Sequence, residues 1–168
     1  MSKYETPNYK LVKEEDNFQL REYDNFYIVE YRSKKDPNIK GGFQTLFKYI
    51  SSDNKQNEKI SMTVPVIQHK KEKVNKMAFV LPKKYWDNIP KPNNKNLEVK
   101  KFEKGLYATI SFSGYSNSKK EEKYKTLLKK KVNSENLKIE SEFMLAAYNA
   151  PFKPLFRKNE IWVKVSKK

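Results

Sequence analysis

The chain has 168 residues and a formal net charge of +16, from 36 basic and 20 acidic residues, and contains no cysteine. That length suits one domain burying roughly 70% of its unfolded surface, and the lack of cysteine excludes disulfides, thiolate chemistry and Cys-based zinc or iron–sulfur sites. Only Arg21, Arg32 and Arg157 are arginines; lysines spread along the whole length carry the rest of the charge, which reads as a solvated surface rather than a face for bidentate recognition of bases or phosphates.

Nucleic acid is therefore not the expected partner, although the positive field attracts small anions. No N-terminal stretch resembles a signal peptide, and apolar runs such as MAFVL at 77–81 fall far below the ~20 residues of a transmembrane helix. The expectation is a cytoplasmic monomer.

From Phe18, FQLREYDNFYIVEY alternates apolar and polar residues around Asp24-Asn25 and reads as a hairpin of two strands. GGFQTLFKYISS, from Gly41, reads as a helix with Phe43, Leu46, Phe47 and Ile50 at i, i+3, i+4 and i+7, an amphipathic stripe that Lys48 and Tyr49 flank. Two strand-like runs follow, Ile60–Gln68 and Lys76–Leu81. PKKYWDNIPKPNNKN, residues 82–96, has three prolines and four asparagines and reads as a loop joining two halves.

The second half echoes the first. LEVKKFEKGLYATISF, Leu97 to Phe112, repeats the opening hairpin 79 residues on, with Leu97 for Phe18, Val99 for Leu20 and Phe102 for Tyr23. A helix follows from Ser118, with Ser118 as N-cap and Glu121 three residues on, then strands Glu140–Tyr148 and Glu160–Val165. The expected fold is α+β: one domain over 1–168, with duplicated β-β-α-β-β halves at about 10–81 and 97–168 closing into a pseudo-symmetric antiparallel sheet or barrel flanked by two helices.

Before the last strand, NAPFKPLFRKNEIW sets Phe152, Leu155 and Phe156 between Pro151 and Pro154. The prolines keep this segment out of the sheet, so its apolar side chains either plug the core or wall a site. The expectation is an ordered flap with at least one of the three partly exposed toward the first helix.

Three ordered motifs carry a family resemblance. YETPNYKLVKEEDNFQLREYDN resembles the start of the SOUL haem-binding proteins, KISMTVPV resembles their K-I-x-M-T-x-P-V strand, and YNAPFKPLFRKNEIWV resembles their penultimate loop and last strand. The resemblance covers nearly the whole chain. It implies a distorted eight-stranded barrel with two helices, shared with the effector-binding domains of some bacterial transcription regulators, and non-covalent binding of haem or another tetrapyrrole. The implied site is Phe43, Leu46, Phe47 and Ile50 facing Phe152, Leu155 and Phe156, with Lys48, Lys153 and Arg157 near the propionates.

The family has no one agreed axial ligand. Tyr49, Tyr148 and Met62 are candidate donors to iron, whereas His69, the only histidine, sits beside two lysines at a strand end and reads as an exposed loop residue. Enzymatic motifs are missing: there is no phosphate loop, nucleophile elbow or HExxH helix. The expected function is a carrier or buffer and not an enzyme. The alternative is an effector-binding module that recognises a small amphipathic or cationic compound in a central cleft, with Glu30, on the strand face of Phe26 and Ile28, as its acid.

Overall fold

The computed structural model describes residues 4–70, 74–148 and 158–168. The elements in chain order are β1 (Tyr9–Glu15), β2 (Phe18–Tyr23), β3 (Phe26–Tyr31), α1 (Gly42–Ser51), β4 (Val66–His69), β5 (Lys76–Val80), β6 (Leu97–Phe102), β7 (Gly105–Ser113), α2 (Ser118–Ser134), β8 (Leu137–Ile139), β9 (Met144–Ala147) and β10 (Lys158–Lys167). The α+β duplication is as expected: β2-β3-α1-β4-β5 is answered by β6-β7-α2-β9-β10. Strands β1 and β8 are additions, so the described residues hold ten strands rather than eight. Among them β1 pairs only with β2 and β6 only with β3, which leaves two edges in place of a closed barrel.

The strands of the expected hairpins form but do not pair with each other. Strand β2 lies antiparallel between β1 and β7, with Phe18 opposite Ile110 and Tyr23 opposite Gly105. Strand β3 lies between β5 and β6, with Phe26 opposite Phe102 and their rings stacked at 4.4 Å. Both interior residues of the Asp24-Asn25 link serve as a crossover rather than a turn, and the Asp24 N–H bonds the Asn8 carbonyl at 3.3 Å. Cross-strand packing, not proximity in sequence, selects the partner.

Two compact units result. The first comprises Met1–Pro7 with Asn25–Glu103, and the second Asn8–Asp24 with Lys104–Lys168. The boundaries fall inside both expected hairpins, so each unit takes its leading strand from the other sequence half.

In the first unit, strands β4-β5-β3-β6 carry α1 on one face. Leu46, Tyr49 and Ile50 of α1 bury against Val29, Tyr31, Met77, Phe79 and Leu81, each large apolar side chain contributing about 1.5–3 kcal/mol by transfer. Gly42 sits close under Tyr31 at the helix start: a Cβ there would lie 3.1 Å from Tyr31 Cδ1, so a larger residue would have to shift that ring by a few tenths of an ångström. No side chain of α1 caps its N-terminus; instead the Asp36 carboxylate accepts the N–H groups of Lys40 and Gly41, each at 2.9 Å, and the Tyr31 hydroxyl at 2.8 Å.

The run expected as Ile60–Gln68 is strand only from Val66, after the cis Val64–Pro65 bond. Its first part is pinned by other means: the Ile60 N–H bonds Ile50 O at 2.7 Å, and Thr63 Oγ1 donates to Val80 O at 2.5 Å. The 82–96 segment is loop, as expected, with one 3-10 turn at Lys83–Tyr85. It is nonetheless part of this unit's fabric, since Trp86 Nε1 donates to Leu81 O at 2.9 Å and Pro90 O accepts the Tyr49 hydroxyl at 2.5 Å.

In the second unit the order is β1-β2-β7-β10-β9, with β8 also on β10. Leu128 and Val132 of α2 pack onto Phe18, Leu20, Ala108, Ile110, Ile161 and Val163. The N-cap is Asn117, one residue before the expected Ser118: its Oδ1 accepts the Lys120 N–H at 2.8 Å. The stretch expected as strand Glu140–Tyr148 is reduced to β9. No helix among the described residues is long and apolar enough to cross a membrane.

Candidate functional site

Helix α1 divides the four residues of its apolar stripe. Leu46 is fully buried and Ile50 nearly so, whereas Phe47 is 50% exposed. Phe43 is half-buried, with its ring edge against Phe79 at 5.3 Å and its face near-parallel to Phe47 at 6.2 Å and 15°. Tyr49, expected off the stripe, is completely buried. The inward face is thus centred on Gly42, Leu46, Tyr49 and Ile50. That centring turns Phe43 and Phe47 onto the helix flank as a near-parallel pair of rings, of which Phe47 is open to solvent. Lys48 is exposed beside Phe47 and is the basic residue of the last turn, where a cation also suits the helix dipole.

Of the candidate iron donors, Tyr49 and Met62 belong to the first unit. The Tyr49 hydroxyl, pushed up to about 12 by burial, donates to the Pro90 carbonyl inside the first unit. Met62 packs against that unit's core. His69 ends β4, half-buried rather than an exposed loop residue. Tyr148 belongs to the second unit. Its hydroxyl is held well above the ordinary tyrosine range by burial and then by the charge of Glu160.

Glu30 of β3 is 7% exposed, and its carboxylate meets Lys100 Nζ at 2.8 Å and Lys76 Nζ at 3.8 Å. It is therefore an internal acid, and it already has cationic partners.

Sequence reasoning missed a second buried ion pair. Arg21 of β2 and Glu160 of β10 are 2% and 1% exposed and form a bidentate bridge at 2.9 and 2.6 Å. Arg21 also donates to Gln19 at 2.7 Å and to the Tyr23 hydroxyl at 2.9 Å, and its guanidinium lies 4.6 Å from the Tyr9 ring centre. Trp162 Nε1 donates to Glu160 at 2.8 Å. Burial pushes the Glu160 carboxyl up, but the Arg21 hydrogen bonds and charge reverse that and hold it below the usual carboxylate range. The only sequence signal was a charge set within each of two strand-like runs, FQLREY and NEIWV. The pair floors a solvent-open depression of about 270 Å³ edged by Glu14, Asp16, Gln19 and Lys158, a polar lining that suits no large apolar ring.

The sequence model for the SOUL heme-binding protein family matches residues 4–164. The chain belongs to the SOUL family. It is similar to heme-binding protein 1 of Xenopus laevis, at 25% identity over 86% of this chain and 82% of the relative. Heme-binding protein 2 of Homo sapiens is likewise 25% identical, over 95% of this chain and 85% of the relative. In structure it resembles the EcmrR C-terminal domain, with a TM-score of 0.63 and 14% identity over 95% of this chain and 99% of that one. That likeness bears out the effector-binding-like fold.

Within this SOUL chain, the residues expected at the site fall into three groups. Phe43 and Phe47 share one flank of α1 and Lys48 is exposed about 100° round the helix from Phe47, while Leu46 and Ile50 are core residues that hold the helix in place. Phe152, Lys153, Leu155, Phe156 and Arg157 lie outside the described residues, as does the flap expected of that segment.

Proposed function

We propose that this SOUL chain is a non-enzymatic binder of haem or a related tetrapyrrole, a cytoplasmic monomer acting as carrier or buffer. The observation that carries this reading is the Phe43–Phe47 pair: two near-parallel rings on a helix flank, one of them half exposed. A porphyrin is a flat apolar plane with two carboxylates. Phe47 and Phe43 fit its face, and Lys48 fits a propionate as a point charge. The family resemblance adds Lys153 and Arg157 as propionate partners and Phe152, Leu155 and Phe156 as apolar contacts. Bound haem would bring the iron and its visible absorption. The chain's part is apolar cover, orientation and charge.

The test is absorption spectroscopy during haem addition to micromolar protein. A saturable change at one haem per chain is expected, largely insensitive to salt because apolar contact dominates. Absence of any saturable change overturns the reading.

The burial of Glu30 favours a second reading, an effector module for a small amphipathic or cationic compound. A cationic ligand there would have to displace Lys100 and Lys76 from the carboxylate. Glu30→Gln distinguishes the two: it weakens a cationic ligand and leaves haem binding unchanged.

A further inference from the structure

The outward face of α2 has no part in the haem reading, and its pattern is specific. Each residue turns a helix by about 100°, so Lys119, Lys123, Leu127 and Lys130 fall on one line, opposite the buried Leu128 and Val132. All four are exposed, Leu127 at 40%. Several lysines around them are paired, Lys13 and Lys131 with Glu135, Lys131 also with Glu15, and Lys125 with Glu122, while Lys120 bonds the Ser113 carbonyl and Lys129 is exposed without a carboxylate partner among the described residues. Among the described residues Lys119, Lys123 and Lys130 have no carboxylate partner within ion-pair distance; Lys123 only overlies the Tyr124 ring at 5.5 Å. The helix therefore keeps its acids on its flanks and presents a line of uncompensated ammonium groups with a leucine in the middle. Tyr115, 57% exposed, stands just before the N-cap.

We propose that this face docks the protein on an anionic lipid bilayer. Charge complementarity identifies the occupant: ammonium groups meet the negative headgroup layer, Leu127 enters the acyl boundary, and Tyr115 sits at headgroup depth as interfacial aromatics do. Nucleic acid fits the same charge less well. A duplex offers phosphate to the lysines but no apolar layer for Leu127, and the line contains no arginine fork. The proposal stands apart from the haem reading and does not depend on it.

The test uses the full chain with vesicles of phosphatidylcholine, with and without phosphatidylserine, followed by co-sedimentation at low and high salt. Binding is expected only with phosphatidylserine and should weaken as salt rises. Each lysine near such a surface is worth about fivefold in affinity, so the triple variant Lys119→Gln, Lys123→Gln, Lys130→Gln should lose roughly a hundredfold. A matched triple at the exposed Lys55, Lys59 and Lys95 of the first unit should lose far less. Leu127→Gln should also weaken binding without changing its salt dependence. All these positions are exposed, and an unchanged circular dichroism melt confirms folding. The proposal is overturned if wild type ignores phosphatidylserine, if the two triples weaken binding equally, or if duplex DNA binds this face more tightly than the vesicles do.

Discussion

Phe47 and Leu46 are sequence neighbours on α1, yet their truncations should report different things. Leu46 has no exposed surface, so Leu46→Ala removes buried methyl groups and leaves a cavity, at a cost of about 2–5 kcal/mol. For a chain of this size that lowers Tm by roughly 5–20 °C. Phe47 is 50% exposed, so Phe47→Ala should change stability by less than about 1 kcal/mol. A phenylalanine buries roughly 150–250 Å² when covered, so a ligand resting on its open half would hide about 100 Å² more. At ~25 cal/mol per Å² that is about 2.5 kcal/mol, or roughly 60-fold in affinity. Thermal melts followed by circular dichroism give the first quantity, and haem titration at 25 °C the second. The reasoning fails if Phe47→Ala keeps haem affinity within about twofold, or if its melt falls as far as that of Leu46→Ala.

Other outcomes follow from the buried polar groups. Arg21→Met strands the Glu160 carboxylate and should cost about 3–5 kcal/mol in urea unfolding, whereas the double variant Arg21→Met, Glu160→Leu should recover most of that loss; a double variant no more stable than the single would contradict the assignment. Because the folded Glu160 carboxyl lies below its ordinary range, its stabilisation is present above the unfolded value of ~4.3 and is lost as pH falls through the folded value. Unfolding free energies across the acid range should show that decline, and Glu160→Gln should flatten it. Tyr49 supplies the opposite limb: its folded value of about 12 exceeds the unfolded ~10, so its share of stability is intact below the unfolded value and falls as pH climbs toward the folded one. Tyr49→Phe should remove that alkaline slope and cost about 1 kcal/mol at neutral pH for the lost bond to Pro90.

Alternation and turn residues made the strands legible, and the 79-residue echo made the duplication legible. Pairing was not legible. Phe18–Tyr23 and Phe26–Tyr31 read as a hairpin because the residues between them suit a turn. What settles the matter is side-chain matching with strands far along the chain, such as Phe26 on Phe102, and no local pattern carries that information. On α1 the spacing 43, 46, 47, 50 correctly gave an amphipathic helix but misjudged its rotation. Tyr49 fell off that stripe, yet its ring fills the core with its hydroxyl bonded to the Pro90 carbonyl, and Phe47 lies on the flank. Arg21 and Glu160 stand 139 residues apart, and either alone in a strand reads as a surface charge. Only the sheet brings the two together.

Placing the ligand is the most direct trial of the haem reading. A diamagnetic porphyrin, zinc protoporphyrin, can be titrated into uniformly ¹⁵N-labelled protein while amide shifts are followed by NMR, since the ring current marks residues beneath the macrocycle. The account predicts that, among the described residues, the largest shifts fall on Phe43–Ser51, led by Phe47 and Lys48, and disappear in Phe47→Ala. Shifts centred on Glu30 and Lys100, or on α2, or no saturable shift at all, would contradict it.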